Sequence, residues 1–303
     1  MLMQAVNTYL AIRRAMGFAL DHTEGYLRNF ARFALARGDT HIVAATAVDW
    51  ASRTTSEAQR RNRLHTVIRF ARFMAAEDAR HEIPPEGIFW GRRQRPMPYI
   101  FSDDEIAQLL HAASRLGPPG SLRPQTYSTL FGLLAVTGMR VSEARNLHLH
   151  DVTIDGLLIR ETKFHKSRLL PLHVTTRTAL DRYIDQRRRC AGADPHLFVT
   201  RRGGKLSRTV VAETFHQVLK AAGMPHRPAR RRLRLMDLRH TFAVRALEKS
   251  PETRQALGRH ALALTTYMGH ACVSDTYWYL ETTPQLMADI ATACETFMHG
   301  GTS

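Results

Sequence analysis

Five polar residues lie in local sequences that favour projection into a shared cleft: Arg140, Lys163, Arg239, His270 and Tyr279. His270 directly follows Gly269 and Arg140 lies two positions after Gly138; glycine is a residue type that often ends a helix, and Tyr279 comes one short helical segment after His270. Guanidinium groups bind phosphate oxygens through charge-assisted hydrogen bonds, and an activated tyrosine hydroxyl is a nucleophile. Each residue alone has an ordinary structural explanation. Together, however, they could attack a phosphodiester through a tyrosine without a metal ion.

The charge of the chain indicates the kind of partner. Its 303 residues include 43 Lys and Arg against 27 Asp and Glu, which gives a formal charge of +16. A surplus of this size favours a polyanion, and double-stranded DNA is the leading candidate. The alternative is a basic surface that only faces solvent. A hydrophobic content of 44% argues against a disordered protein.

The number and spacing of cysteines and histidines argue against a disulfide-rich protein, a zinc-binding module and a metal hydrolase. Cys190, Cys272 and Cys294 are too few and too far apart for a disulfide framework or a paired CxxC zinc site. The sixteen histidines show no HExxH or paired-ligand spacing, so a metal hydrolase is disfavoured and we expect no metal or cofactor. No export signal or membrane span is recognisable, so we expect a cytoplasmic, nucleoid-associated protein.

The N-terminal part predicts helices only. Apolar residues recur at spacings of three and four over residues 6–16, 23–36, 45–52 and 56–76. Prolines then interrupt the pattern, and Arg92, Arg93 and Arg95 stand between them. We therefore predict a helical DNA-binding domain over 1–83, a basic linker over 84–98 and a second domain over 99–303.

The second domain predicts a mixture of helices and strands. Ser102 should cap a helix whose first turn is acidic, and a further helix should cover residues 125–137. Alternating residues at 156–161 and 168–172 predict two strands joined by a lysine-rich turn, and 197–200 is a candidate third strand. A helix over about 234–247 would turn one apolar face to a core, at Leu235, Leu238, Phe242, Ala243 and Leu247.

At motif level, residues 101–286 resemble the tyrosine recombinases, also called phage integrases. Arg140 matches the family arginine in the segment TGMRVSE, and Lys163 matches its lysine in a β-turn ahead of an R-x-x-PL strand, with Lys166 as a competitor. Arg239 matches the second arginine box. His270 and Tyr279 match the GH box and the nucleophile nine positions later, with Tyr277 as a rival nucleophile.

The resemblance implies a fold and a mechanism. The fold is mainly α with a small β-sheet: an N-terminal helical core-binding (SAM-like) domain, then a mixed α/β catalytic domain, closing around duplex DNA. Arg140 and Arg239 would hold the scissile phosphate, Lys163 would protonate the leaving 5′ oxygen and His270 would donate to the phosphate. Tyr279 would form a 3′-phosphotyrosyl bond that a second 5′ hydroxyl can reverse, as in site-specific recombination or integration.

One position departs from the family pattern. Met236 stands where the second box normally has histidine, and a thioether is only a weak hydrogen-bond acceptor. We expect His240 not to replace it, because neighbouring helical residues point about 100° apart. Three explanations stay open: a slowed but competent centre, a natural variant in which another group substitutes, or a substitution introduced to slow it.

Partners and rival functions follow from the resemblance and the charge. Family members assemble as tetramers on DNA, so a homo- or hetero-tetramer is expected. Residues 284–298 predict an amphipathic helix that would either dock on a neighbouring protomer or fold back on its own domain. Arginines at 226–234, Arg201 and Arg202 could face DNA. The sequence leans towards recombinases of mobile elements, that is, towards transposition. The alternatives are a type IB topoisomerase-like enzyme and a decayed recombinase that binds DNA without catalysis.

Overall fold

The computed structural model describes residues 2–18, 20–89, 97–160, 167–190, 192–224, 232–248 and 254–269, together with 272, 276 and 279. The chain divides into two compact units, one over Met1–Arg95 and one over Pro96–Ser303. Among the described residues, no helix has the length and apolar character needed to cross a membrane. The exact limits of the linker predicted at 84–98 stay a prediction.

The described residues of the first unit form four helices, as the sequence predicts: α1 (Leu2–Ala15), α2 (Asp21–Ala36), α3 (Ala44–Ser52) and α4 (Glu57–Ala75). The spacing of apolar residues explains the packing, because Leu27, Phe30 and Ala34 fall on one face of α2 and are all buried. The Ser56 hydroxyl caps α4 by accepting from the Gln59 N–H. Phe89, after α4, packs partly buried against the same core.

The second unit is mainly helical. Its helices are α5 (Asp103–Ser114), α6 (Arg123–Thr137), α7 (Val141–Asn146), α8 (Val174–Cys190), α9 (Arg208–Ala221), α10 (Leu235–Glu248) and α11 (Arg254–Met268). The Ser102 cap on α5 is confirmed, with a reciprocal bond between its backbone and Glu105. On α10 the predicted core positions Leu238, Ala243 and Leu247 are buried.

A small antiparallel sheet accompanies these helices. Its order is β1–β2–β3, with β1 at Val152–Thr153, β2 at Gly156–Ile159 and β3 at Arg168–Leu170. The register pairs Leu157 with Leu170, and both side chains are buried. The strand predicted at 197–200 is wrong: in this range only Val199 forms a bridge, an isolated antiparallel pairing with Lys205.

Candidate active site

The turn between α6 and α7 positions Arg140. Helix α6 ends at Gly138 in the left-handed conformation (φ 60°), and Arg140 follows in extended conformation as the residue that begins α7. A side chain at Gly138 would overlap the Phe242 ring of α10, with its Cβ 2.9 Å from Phe242 Cγ. The glycine therefore both ends the helix and lets α10 approach the turn.

A buried carboxylate orients the Arg140 side chain. Glu143 accepts from Arg140 Nη1 (2.8 Å) and from the Arg140 backbone N–H (2.9 Å). It also accepts from Arg168 of β3 at 3.1 and 2.8 Å. Burial alone would raise the Glu143 pKa, but the bonds from Arg168 and Arg140 outweigh burial and lower it. The carboxylate therefore stays charged at neutral pH and fixes both guanidiniums.

Arg239 comes to the same place from α10. Its guanidinium donates to the carbonyls of Gly138 (2.6 Å) and Met268 (2.9 Å), and the residue is only 4% exposed. Burial, followed by the positive charge of Arg140, lowers the Arg239 pKa to about 10. The side chain therefore still carries its charge at neutral pH.

The end of α11 joins the two arginines. Arg140 Nη2 donates to the carbonyl of Gly269 (2.8 Å), the residue after the Met268 carbonyl that holds Arg239. Gly269 has a φ of 66°, and a Cβ there would stand 2.7 Å from Arg168 Nη1. The guanidiniums of Arg140 and Arg168 can therefore pack against the backbone at position 269 because this residue is a glycine.

Tyr279 is packed beside these groups. It is 4% exposed and belongs to a small core with Val244, Leu264 and Met268. Its hydroxyl oxygen lies 3.2 Å from His240 Nδ1, and it is near enough to Arg239 to affect the arginine pKa. The structure therefore brings three of the predicted residues, Arg140, Arg239 and Tyr279, together.

His240 contacts Tyr279, a contact that the sequence argument did not predict because it considered α10 in isolation. The expectation that His240 does not replace a histidine at 236 concerns its role in the reaction and stays a prediction. Met236, one turn before His240, is 41% exposed. Sequence analysis also did not identify Arg168 as a site residue; the only signal was its place at the start of a strand after the lysine-rich turn.

The remaining predicted groups lie outside the described residues. These are Lys163 and its competitor Lys166, His270, the rival nucleophile Tyr277, the linker arginines and the 284–298 segment. The described part of the basic surface includes Arg201, Arg202, Arg232 and Arg234, all of which are exposed.

A cavity of about 560 Å³ opens beside Arg140. Glu143 and Asn146 of α7, Ile159 and Arg160 of the sheet region, and Lys205 are among its lining residues. Three of these five side chains are charged, so this cavity suits a polar or ionic occupant better than an apolar one.

Comparison with known proteins gives the family. Residues 100–285 match the Phage integrase family. A protein of Sinorhizobium fredii (strain NBRC 101917 / NGR234), named as an integrase/recombinase and designated y4rB, is 42% identical over 297 residues, covering 94% of each chain. The chain belongs to the phage integrase family, the tyrosine recombinases, whose enzymes bind DNA and act in DNA recombination and integration.

Solved structures share the fold. The XerH site-specific recombinase, bound to palindromic difH substrate in a post-cleavage complex, aligns with a TM-score of 0.67 at 18% identity, covering 89% of this chain and 78% of that chain. A lambda integrase tetramer bound to a Holliday junction aligns with a TM-score of 0.58 at 17% identity, covering 89% and 77%. These structures support the arrangement of a helical N-terminal region followed by an integrase catalytic domain.

Proposed function

We propose that this chain is a site-specific recombinase of mobile-element type, and that it cuts and rejoins DNA through a 3′-phosphotyrosyl bond to Tyr279. The observation that carries the proposal is the pair of anchored guanidiniums next to a tyrosine hydroxyl. Arg140 and Arg239 are fixed by Glu143 and by the backbone carbonyls of residues 138, 268 and 269.

The two guanidiniums explain how a phosphate would be held. Pre-positioned arginines lose little freedom when they bind, and they stabilise the extra negative charge that develops as the tyrosine attacks. Both guanidiniums are positively charged at neutral pH, so a phosphodiester is the chemical group that fits between them. In the proposed mechanism, Lys163 protonates the leaving 5′ oxygen and His270 donates a further hydrogen bond to the phosphate.

His240 supports one of the three explanations for Met236. With its Nδ1 unprotonated, His240 accepts the hydrogen bond of the Tyr279 hydroxyl at 3.2 Å and is placed to take the proton during attack. The ordinary pKa of histidine is close to neutrality, whereas that of tyrosine is about 10, so a nearby imidazole is a useful acceptor. We infer that His240 substitutes for the group that Met236 cannot provide.

The burial of Tyr279 adds a step before the reaction. Because the residue is 4% exposed, DNA must uncover its hydroxyl before a phosphate can reach it. After attack, the phosphotyrosyl bond retains the energy of the phosphodiester, so a 5′ hydroxyl from a second strand can reseal the DNA. The proposed reaction therefore consumes no nucleotide cofactor.

Assembly follows from the chemistry of strand exchange. Recombination between two duplexes needs four strand cuts, and one chain with one tyrosine makes one of them, so we propose a tetramer on DNA. The solved lambda integrase tetramer on a Holliday junction is a relative in fold that supports this arrangement. The +16 charge fits a DNA-bound protein at the nucleoid, in the cytoplasm.

Covalent trapping tests the proposal. The protein is incubated with nicked duplexes, taken from the DNA flanking its own gene and from a random pool, and adducts that survive denaturation are counted. Tyr279→Phe should remove the adduct, while the matched variant Tyr277→Phe should keep it. Relaxation of supercoiled plasmid without strand exchange would indicate a topoisomerase-like enzyme instead. DNA binding without any adduct, from either flanking or random DNA, would indicate a non-catalytic binding protein.

A further inference from the structure

Three arginines donate to three successive backbone carbonyls at the end of α11. The pairs are Arg168 Nε to Tyr267 (2.7 Å), Arg239 Nη2 to Met268 (2.9 Å) and Arg140 Nη2 to Gly269 (2.8 Å). The last carbonyls of an α-helix have no partner within the helix, and the helix dipole makes this end negative. The two proposed phosphate-binding arginines and Arg168 therefore share one support, the end of α11.

Arg168 also holds the carboxylate of Glu143. Its Nη1 donates to Glu143 Oε1 at 3.1 Å, and its Nη2 donates to Oε2 at 2.8 Å. Arg140 Nη1 donates to the same Oε1 at 2.8 Å. The planar fork of a guanidinium matches the two oxygens of a carboxylate, so this pair has a defined orientation. Arg168 thus contacts both supports of Arg140, the Glu143 carboxylate and the end of α11.

The Arg168–Glu143 pair is buried, with side-chain exposures of 12% and 6%. Burial raises the pKa of Glu143, and the hydrogen bond from Arg168 is the largest of the effects that nevertheless leave this pKa lowered. Loss of Arg168 would therefore weaken both the position and the charge of the group that orients Arg140. An ordinary structural ion pair adds stability alone, whereas both partners of Arg168 also hold Arg140.

The contact between Arg168 and Tyr267 joins the sheet to α11. Arg168 is the first residue of β3 and pairs with Ile159 of β2. In the sequence, β3 follows the lysine-rich segment that contains Lys163, and the end of α11 directly precedes His270. The contact therefore fixes two points of the backbone that are adjacent in sequence to predicted site residues.

We propose that Arg168 is a positioning residue for strand cleavage. It holds Glu143 and the end of α11 together, so that Arg140 and Arg239 are in place when the scissile phosphate arrives. Its donor groups are bound to protein acceptors, so it acts through these arginines and does not bind the phosphate. This inference rests on the proposed recombinase function.

Arg177 offers a matched control in the same unit. Its Nε lies 3.0 Å from both oxygens of Asp181, and its Nη1 donates to the Thr153 carbonyl at 2.5 Å. Like Arg168, it contacts both oxygens of one carboxylate and one backbone carbonyl. Its partners are on α8 and β1, and in the described structure neither of them holds Arg140.

Single-turnover cleavage of nicked duplex from the DNA flanking the gene tests the proposal, with DNA in saturating excess. Arg168→Ala should slow formation of the Tyr279 adduct by about 10²-fold, because small displacements of charge-stabilising groups are costly in the transition state. Arg168→Lys keeps the charge but not the fork, and should slow it by about tenfold or more. The dissociation constant for DNA should stay within about threefold, and Arg177→Ala should cleave within about twofold of the native rate.

Hydrogen exchange of the DNA-free, full-length chain gives a readout that does not need activity. In Arg168→Ala and Arg168→Lys, amides in the last turn of α11 should exchange at least about tenfold faster, while those of α6 and α8 stay protected. Circular dichroism checks that both variants are folded. Absence of an adduct from the native chain would contradict the recombinase proposal, and exchange would still decide whether Arg168 fixes α11.

Four results would overturn the positioning role. These are unchanged exchange in α11, a native cleavage rate in Arg168→Ala, full activity in Arg168→Lys, and an equal loss of rate in Arg177→Ala. A rate that falls only in proportion to DNA affinity would instead make Arg168 a binding residue, which also contradicts the proposal.

Discussion

Replacement of Glu143 by alanine tests whether a buried carboxylate holds the phosphate-binding arginine in place. Glu143 accepts two bonds from Arg140, at 2.8 and 2.9 Å, and two from Arg168, at 3.1 and 2.8 Å. Removing one partner of a buried ion pair costs about 3–5 kcal/mol. The Arg140 side chain is 27% exposed and can recover some hydration, so we expect the lower end, about 3 kcal/mol.

The expected loss can be measured by thermal unfolding and by cleavage. A loss of about 3 kcal/mol lowers the melting temperature of a unit this size by about 6–12 °C. DNA cleavage should slow by about 10²-fold or more, because Arg140 is no longer fixed where the transition-state charge develops. The exposed Glu213 on α9 provides the matched control, and Glu213→Ala should leave both quantities nearly unchanged.

The pH dependence adds an independent test of the same interaction. The folded-state pKa of Glu143 is lowered from an ordinary value of 4.5, so its stabilising effect is complete above that value and disappears as pH falls through the lowered pKa. The difference in unfolding free energy between the native chain and Glu143→Ala should therefore be full at neutral pH and shrink below about pH 4. A difference that is small at pH 7, or that grows on acidification, would refute the reasoning.

Three further changes test neighbouring parts of the site. His240→Ala should slow cleavage by about 10²-fold if His240 accepts the Tyr279 proton; an unchanged single-turnover rate would show that it does not. Met236→His should change the rate little in the native chain but restore much of it in the His240→Ala background, and a large gain in the native chain would mean that Met236 itself limits the enzyme. Gly138→Ala should cost about 2–4 kcal/mol in urea unfolding, because a side chain there meets Phe242 at a positive φ; a cost below about 1 kcal/mol would contradict the proposed close approach.

Local sequence signals predicted the local structure well. The Ser102 cap, the end of α6 at Thr137 and the apolar face of α10 all depend on residues a few positions apart, and all are confirmed. The family pattern named Arg140, Arg239 and Tyr279, and the structure brings these three together. Lys163 and His270 lie outside the described residues, so their positions stay predictions.

The errors and omissions concern contacts between distant parts of the chain. The buried run Leu197–Val199 has strand-like composition, but in the described structure its backbone pairing is limited to an isolated bridge from Val199 to Lys205 and a hydrogen bond from the Leu197 N–H to the Leu147 carbonyl. His240 meets a residue 39 positions away, and Arg168 meets Glu143 25 positions away. Helical periodicity within one segment cannot reveal which face another segment will cover, so these partners were not predictable.

The direct test of the central claim is to identify the residue that carries DNA after cleavage. The trapped adduct is digested with nuclease and protease, and the modified peptide is sequenced by mass spectrometry. The account predicts a nucleotide attached to Tyr279, and loss of the adduct when either Arg140 or Arg239 is replaced by alanine. A nucleotide on Tyr277, or on any other side chain, would contradict the assignment of Tyr279 as the nucleophile held beside the two arginines.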